Sequence, residues 1–238
     1  MGFAKVNAAG TGYEGQTYVY NLGSSQSYRS GMALPTSLGN FNADLSTAFG
    51  SSWYNDATVR WGIVGVVGPT DALTGGDPAR TTYFSQDYLG EAGGSAAVTF
   101  NSSNRGSLST NLKSFFNTMN GVAVNGAVDG GALYAGTSVN SFSSFLPPGP
   151  STYFGVGVNP LTAMSGASQA GLDVYRTLHS ATGADLTSAL DSNAVVGAGQ
   201  YLGTFTLSDA GGLAFVPEPS AGVLSLLGMC LFLRRRRA

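Results

Sequence analysis

Thr58-Val59-Arg60-Trp61-Gly62-Ile63-Val64-Gly65-Val66-Val67 is the stretch whose reading decides the fold. Val59, Trp61, Ile63, Val64, Val66 and Val67 are β-branched or aromatic, the side chains that suit a pleated, buried surface. Gly68-Pro69 stops the run, because proline has no N–H to give to a sheet ladder. The segment reads as a core strand, with Trp61 inside. Thr81 to Ser85, after the turn residues Gly75-Gly76-Asp77-Pro78, reads as a second short strand that pairs with the first across a long loop.

Working outward, Gln16 to Leu22 reads as a strand through Tyr18, Val19 and Tyr20, and Val98 to Phe100, Tyr153 to Val158 and Leu172 to Leu178 add others. Tyr201 to Leu207 and Leu213 to Val216 form a hairpin around Ser208-Asp209-Ala210-Gly211-Gly212. Helical spacing appears at Leu38, Phe41, Leu45 and Phe49, predicting a helix over Asn40 to Phe49 closed by Gly50. A second helix is predicted over Ser107 to Met119 from the stripe Leu108, Leu112, Phe115, Phe116 and Met119, and a short one over Asp185 to Leu190. Gly121 to Pro150, rich in Gly, Ser and Asn, reads as irregular or weakly β. The fold class expected is mainly β (α+β). Residues 1–216 form one antiparallel, β-sandwich-like domain with two or three short helices, and residues 217–238 form a tail.

Composition narrows the function classes. Charged residues make up 10% of the chain, against roughly 25% in average globular proteins, and Gly supplies 35 of 238 residues. Setting aside Arg234 to Arg237, 7 basic residues face 13 acidic ones, about −6 in charge. Nucleic acid needs a basic face, so it is not an expected partner. A neutral, hydroxyl-rich surface is common in secreted and matrix proteins. Cys230 is the single cysteine and lies in the tail, so the body has no disulfide, thiol nucleophile or cysteine metal site.

The tail has three ordered parts. Pro217, Glu218 and Pro219 come first, and a helix can begin at Pro219 or just after it, with Ser220 as cap. Ala221 to Leu233 is uncharged, with Ala221, Val223, Leu224, Leu226, Leu227, Leu231 and Leu233 among its apolar residues. Arg234, Arg235, Arg236 and Arg237 close it and resist translocation, which keeps that end cytoplasmic. A spanning helix takes roughly 20 apolar residues; arginine snorkelling and local bilayer thinning cover the shortfall. A buried C-terminal helix of a soluble domain is the competing reading, but this segment is apolar all round rather than amphipathic.

These residues resemble the PEP-CTERM sorting signal of bacterial exported proteins. The resemblance implies processing by an exosortase, membrane anchoring through the tail, and delivery to the cell surface or extracellular matrix. More weakly, Tyr18 to Gly23, Asn42 to Leu45 with Phe49-Gly50 and Trp53, Trp61-Gly62, and Gly76 to Thr81 are similar to exported proteins of verrucomicrobial type bearing this tail. That group implies a signal peptide and a further strand before the segment matching Gly2-Phe3-Ala4. Met1 to Asn7 carries no basic and apolar leader, so the expected start lies upstream.

The body offers little catalytic pattern. Gly10-Thr11-Gly12-Tyr13-Glu14-Gly15 spells a dinucleotide fingerprint but is followed by β-formers, so it reads as a turn. His179 is the sole histidine; no nucleophile elbow accompanies it and no zinc set is available, so neither metal nor cofactor is expected. Glycosidases need only two carboxylates, and Asp44, Asp56, Asp71, Asp77, Asp87, Glu91, Asp129, Asp173 and Asp185 are the candidates, with no pair standing out. Trp53 and Tyr54, beside Asn55-Asp56, are candidate sugar-stacking rings. The expected function is a non-enzymatic, structural or adhesive surface protein. A module binding extracellular polysaccharide is the alternative, and an envelope glycoside hydrolase the remotest one.

Overall fold

The computed structural model describes residues 1–9, 12–23, 28, 37–67, 77–91, 93–94, 100, 102–123, 131–135, 162–164, 169–179 and 198–217. Antiparallel β is the commonest structure among them, with few helices. The strands are β1 (Gly2–Val6), β2 (Tyr13–Tyr20), β3 (Gly39–Asn40), β4 (Val59–Gly62), β5 (Val64–Val66), β6 (Thr82–Asp87), β7 (Gly131–Ala135), β8 (Thr162–Ala163), β9 (Gln169–Thr177), β10 (Gly199–Ser208) and β11 (Gly212–Pro217). The α-helices are α1 (Asn42–Phe49) and α2 (Ser102–Ala123), and Trp53–Asn55 makes one 3-10 turn. One sheet runs β7-β2-β1-β4-β8 and the other β3-β11-β10-β9-β6-β5.

The run from Thr58 to Val67 is not one strand. It breaks at Ile63, and its two halves belong to different sheets: β4 pairs with β1, and β5 pairs with β6. At the corner Ile63 donates its N–H to the Ser85 hydroxyl at 2.8 Å and accepts the Ser85 N–H at 2.9 Å. A strand that bends from one sheet into another keeps its apolar residues pointed at a shared interior. Phe3, Tyr18 and Trp61 of the first sheet, and Tyr83, Leu172, Val174, Phe205 and Phe215 of the second, all belong to one buried cluster. Phe3 stacks on Trp61 at 5.8 Å between ring centroids.

The N-terminal strand is a correction to the sequence reading, which places no element there. β1 lies between β2 and β4, with Phe3 and Ala4 fully buried. Met1 donates its amine to the Tyr20 carbonyl at 3.0 Å, and burial lowers that amine from 8.0 to about 5. β7 gives definite strand structure to a segment read as weakly β. The expected helix ending at Asn120-Gly121 starts earlier and runs on to Ala123, with Leu108, Leu112 and Phe115 buried on one stripe.

Other expectations hold. Helix α1 buries Leu45 and ends at Gly50, whose N–H reaches the Ser46 carbonyl. Its start is locked to the last hairpin: Phe41 donates to the Gly211 carbonyl at 2.9 Å, and Asn40 Nδ2 donates to the Ala210 carbonyl at 2.8 Å. Gly211 has φ of +79°, and a Cβ there would sit 2.4 Å from the Asn42 nitrogen, so this turn admits only glycine. The β10–β11 hairpin forms where expected. The strands expected at Val98 to Phe100 and Tyr153 to Val158 fall wholly or mainly outside the described residues, as does the helix at Asp185 to Leu190.

Candidate functional site

Pro217 is the last residue of β11, paired in register with Gly203. Glu218, Pro219, the apolar run from Ala221 to Leu233 and Arg234 to Arg237 lie outside the described residues. Among the described residues no helix is long and apolar enough to cross a membrane. Gly10 and Thr11 are likewise outside, but the fingerprint does not open a helix: Tyr13–Tyr20 is strand, and Asn7 donates to the Gly12 carbonyl across the turn that joins β1 to β2.

Trp53 and Tyr54 are not a sugar platform. Trp53 is 1% exposed and Tyr54 5%, packed edge to face at 5.4 Å. Trp53 Nε1 donates to Asn42 Oδ1 at 3.0 Å, which fixes the ring against the start of α1. The sequence pattern, two aromatics beside Asn-Asp, looks the same whether the rings face water or interior. Here the 3-10 turn directs both inward.

The carboxylates scatter by role. Asp44 accepts the Tyr18 hydroxyl at 2.8 Å and ties α1 to β2. Asp56 caps its own turn through Thr58 and pairs with Lys5 at 2.9 Å; the Thr58 hydroxyl is the foremost cause holding Asp56 below the usual carboxylate range. Asp87 and Glu91 are exposed, and Asp71, Asp129 and Asp185 lie outside the described residues.

Among the described residues two carboxylates are buried, Asp77 and Asp173, and both pack at β9. Arg176 Nη1 reaches Asp77 Oδ1 at 2.8 Å with both side chains at 0% exposure. The Tyr83 hydroxyl also donates to Asp77, and Arg176 Nη2 donates to Gln200 Oε1. Tyr83, Arg176 and Gln200 are register partners on β6, β9 and β10, on the face that carries Leu172 and Val174 into the core. Asp173 points to the opposite face, where Thr204 donates to its Oδ1 at 2.6 Å and the Tyr201 hydroxyl lies 2.7 Å from Thr204 Oγ1. Its Oδ2 is buried without a hydrogen-bond partner among the described residues. Beside it, burial above all, then Asp173 and Tyr201, pushes the Tyr175 phenol up to about 12. Two-carboxylate hydrolysis requires both acids to flank one bond; Asp77 and Asp173 stand on opposite faces of the sheet and do not converge.

The sequence reading missed a basic grouping where β9 ends. Arg105, in the first turns of α2, donates from Nε to the His179 carbonyl at 2.9 Å and from Nη1 to the Phe100 carbonyl at 2.7 Å. His179 stands two residues past the end of β9 and lies against Gly106 of α2. Arg80 sits in the turn before β6, two residues ahead of the register pair Thr82–Thr177. Burial first, then the charges of Arg80 and Arg105, lower the His179 imidazole below its ordinary value. No sequence spacing links positions 80, 105 and 179; the pairing of β6 with β9 brings the first and last together, and the Arg105 bond to the His179 carbonyl adds α2. Among the described residues no group of three or more His, Cys, Asp or Glu is placed to hold a metal ion.

Compared with protein-family models, with curated proteins and with solved structures, the chain matches none.

Proposed function

We propose that this chain is an exported surface or matrix protein: a β-sandwich-like body, residues 1–216, delivered by a sorting tail, residues 217–238. The single observation that carries the reading is the order of the tail: Pro217-Glu218-Pro219, then an uncharged run to Leu233, then Arg234 to Arg237. Thirteen residues from Ala221 to Leu233 give about 20 Å of helix at roughly 1.5 Å per residue. That is short of the roughly 30 Å hydrocarbon core, and arginine stems reaching to the headgroups reduce the gap. In this reading Pro217-Glu218-Pro219, one negative charge between two prolines, is the segment that a membrane-embedded processing enzyme of exosortase type recognises. The body's role in this reading is structural or adhesive. Its low charge and the bonds by which Asp77, Arg176, Asp173, Thr204 and Ser85 brace the sheets support that role. The polysaccharide-binding alternative loses Trp53 and Tyr54 as its contact residues.

Intact mass of the protein from membrane and extracellular fractions of its own host tests the reading. Loss of everything beyond the Pro-Glu-Pro region is the expected result, and replacing Arg234 to Arg237 by glutamines should abolish it. An unprocessed chain ending at Ala238 and confined to the cytosol overturns the reading.

A further inference from the structure

We propose that Arg80, Arg105 and His179 form a binding site for a phosphate or sulfate group, free or esterified. The first support is the turn Pro78-Ala79-Arg80-Thr81. Thr81 donates its N–H to the Pro78 carbonyl at 3.1 Å and its hydroxyl to the same oxygen at 2.7 Å. Arg80 donates its N–H to the Val67 carbonyl at 3.0 Å. Arg80 stands in the third position of this turn with φ of +66°, and no other non-glycine residue among those described has a positive φ. Glycine or asparagine normally fills that position. A side chain kept in an unfavourable backbone region, held by three hydrogen bonds, points to a role for the side chain itself.

The second support is that no counter-charge stands beside them among the described residues. Among the described residues the charges acting on His179 are Arg80 and Arg105, with no acid among them. Among the described residues neither arginine takes part in a salt bridge, although the body as a whole is acidic. Arg105 commits two of its N–H groups to backbone carbonyls, which orients the guanidinium and leaves further donors of its five-donor fork for a ligand. His179 Nδ1 is buried with no hydrogen-bond partner among the described residues. All three side chains keep partial exposure, so a ligand can reach them. Two guanidiniums and an imidazole match the several acceptor oxygens of a tetrahedral oxyanion. Arg105 also lies near the N-terminal end of α2, whose dipole favours the same charge.

The test uses the full chain in mild detergent, titrated calorimetrically with sodium phosphate and sodium sulfate at constant ionic strength, with sodium chloride as control. Saturable binding of one ion per chain is expected for phosphate or sulfate. Arg80→Gly fits the turn without strain, so it should keep or raise the unfolding temperature while weakening binding by about tenfold or more, the worth of one charge-assisted contact. His179→Gln should weaken it less. A sulfated oligosaccharide binding at least as tightly as inorganic sulfate assigns the site to an esterified group; inorganic ion bound more tightly assigns it to free ion. The same heats from chloride, or Arg80→Gly binding as well as the parent chain, overturn the proposal.

Discussion

Replacing Arg176 by methionine removes the cation from the most deeply buried charge pair described in this protein. Both partners are fully buried and 2.8 Å apart. The cost therefore comes from leaving Asp77 in the interior without its countercharge rather than from losing a surface attraction. Breaking a buried pair from one side costs about 3–5 kcal/mol. At about 2–4 °C per kcal/mol for a chain of this size, the melting temperature should fall by roughly 10 °C. The double variant Asp77→Asn, Arg176→Met removes both charges but keeps an amide oxygen for the Tyr83 hydroxyl. It should recover about 2 kcal/mol relative to Arg176→Met alone, the coupling expected of contacting residues. Urea unfolding of the parent, both single variants and the double closes the cycle. A loss below about 1 kcal/mol in Arg176→Met, or a double variant no more stable than that single one, would refute the reasoning.

Gly203→Ala should destabilise the last hairpin by about 3 kcal/mol, because its φ is +151° and a Cβ would meet the Val216 carbonyl at 2.4 Å; the urea midpoint reads it. Trp53→Ala should cost about 3–5 kcal/mol by opening a cavity against α1, while leaving the response to neutral oligosaccharides in a thermal-shift assay unchanged. Stability should fall as pH drops through the ordinary imidazole range, since burial, then the charges of Arg80 and Arg105, hold the His179 imidazole lower in the folded chain than in the unfolded one. Denaturant curves at each pH give the slope, and a flat profile would contradict the lowered imidazole.

Residue type and spacing made much of the β framework legible. The last hairpin was readable because Asp209 to Gly212 separates two alternating runs, and α1 because Phe41, Leu45 and Phe49 repeat at one face before Gly50. β1 escaped because its five residues include Gly2 and Lys5, too short and mixed to show a period. Its place between β2 and β4 comes from pairing partners far along the chain. The tail is the reverse case: three ordered compositions carry its whole reading without any tertiary contact. The stretch from Thr58 to Val67 shows both limits at once. Its apolar residues alone determine that it is core strand, because water rejects them whatever their neighbours. Whether the strand runs straight or turns between sheets depends on the Ser85 hydroxyl meeting the backbone of Ile63, a contact 22 residues away in sequence that only folding creates. The same holds for Asp77 with Arg176 and for Arg80 with Arg105 and His179. Charge is visible residue by residue, but its partner is chosen by strand register, and register is a property of the whole sheet.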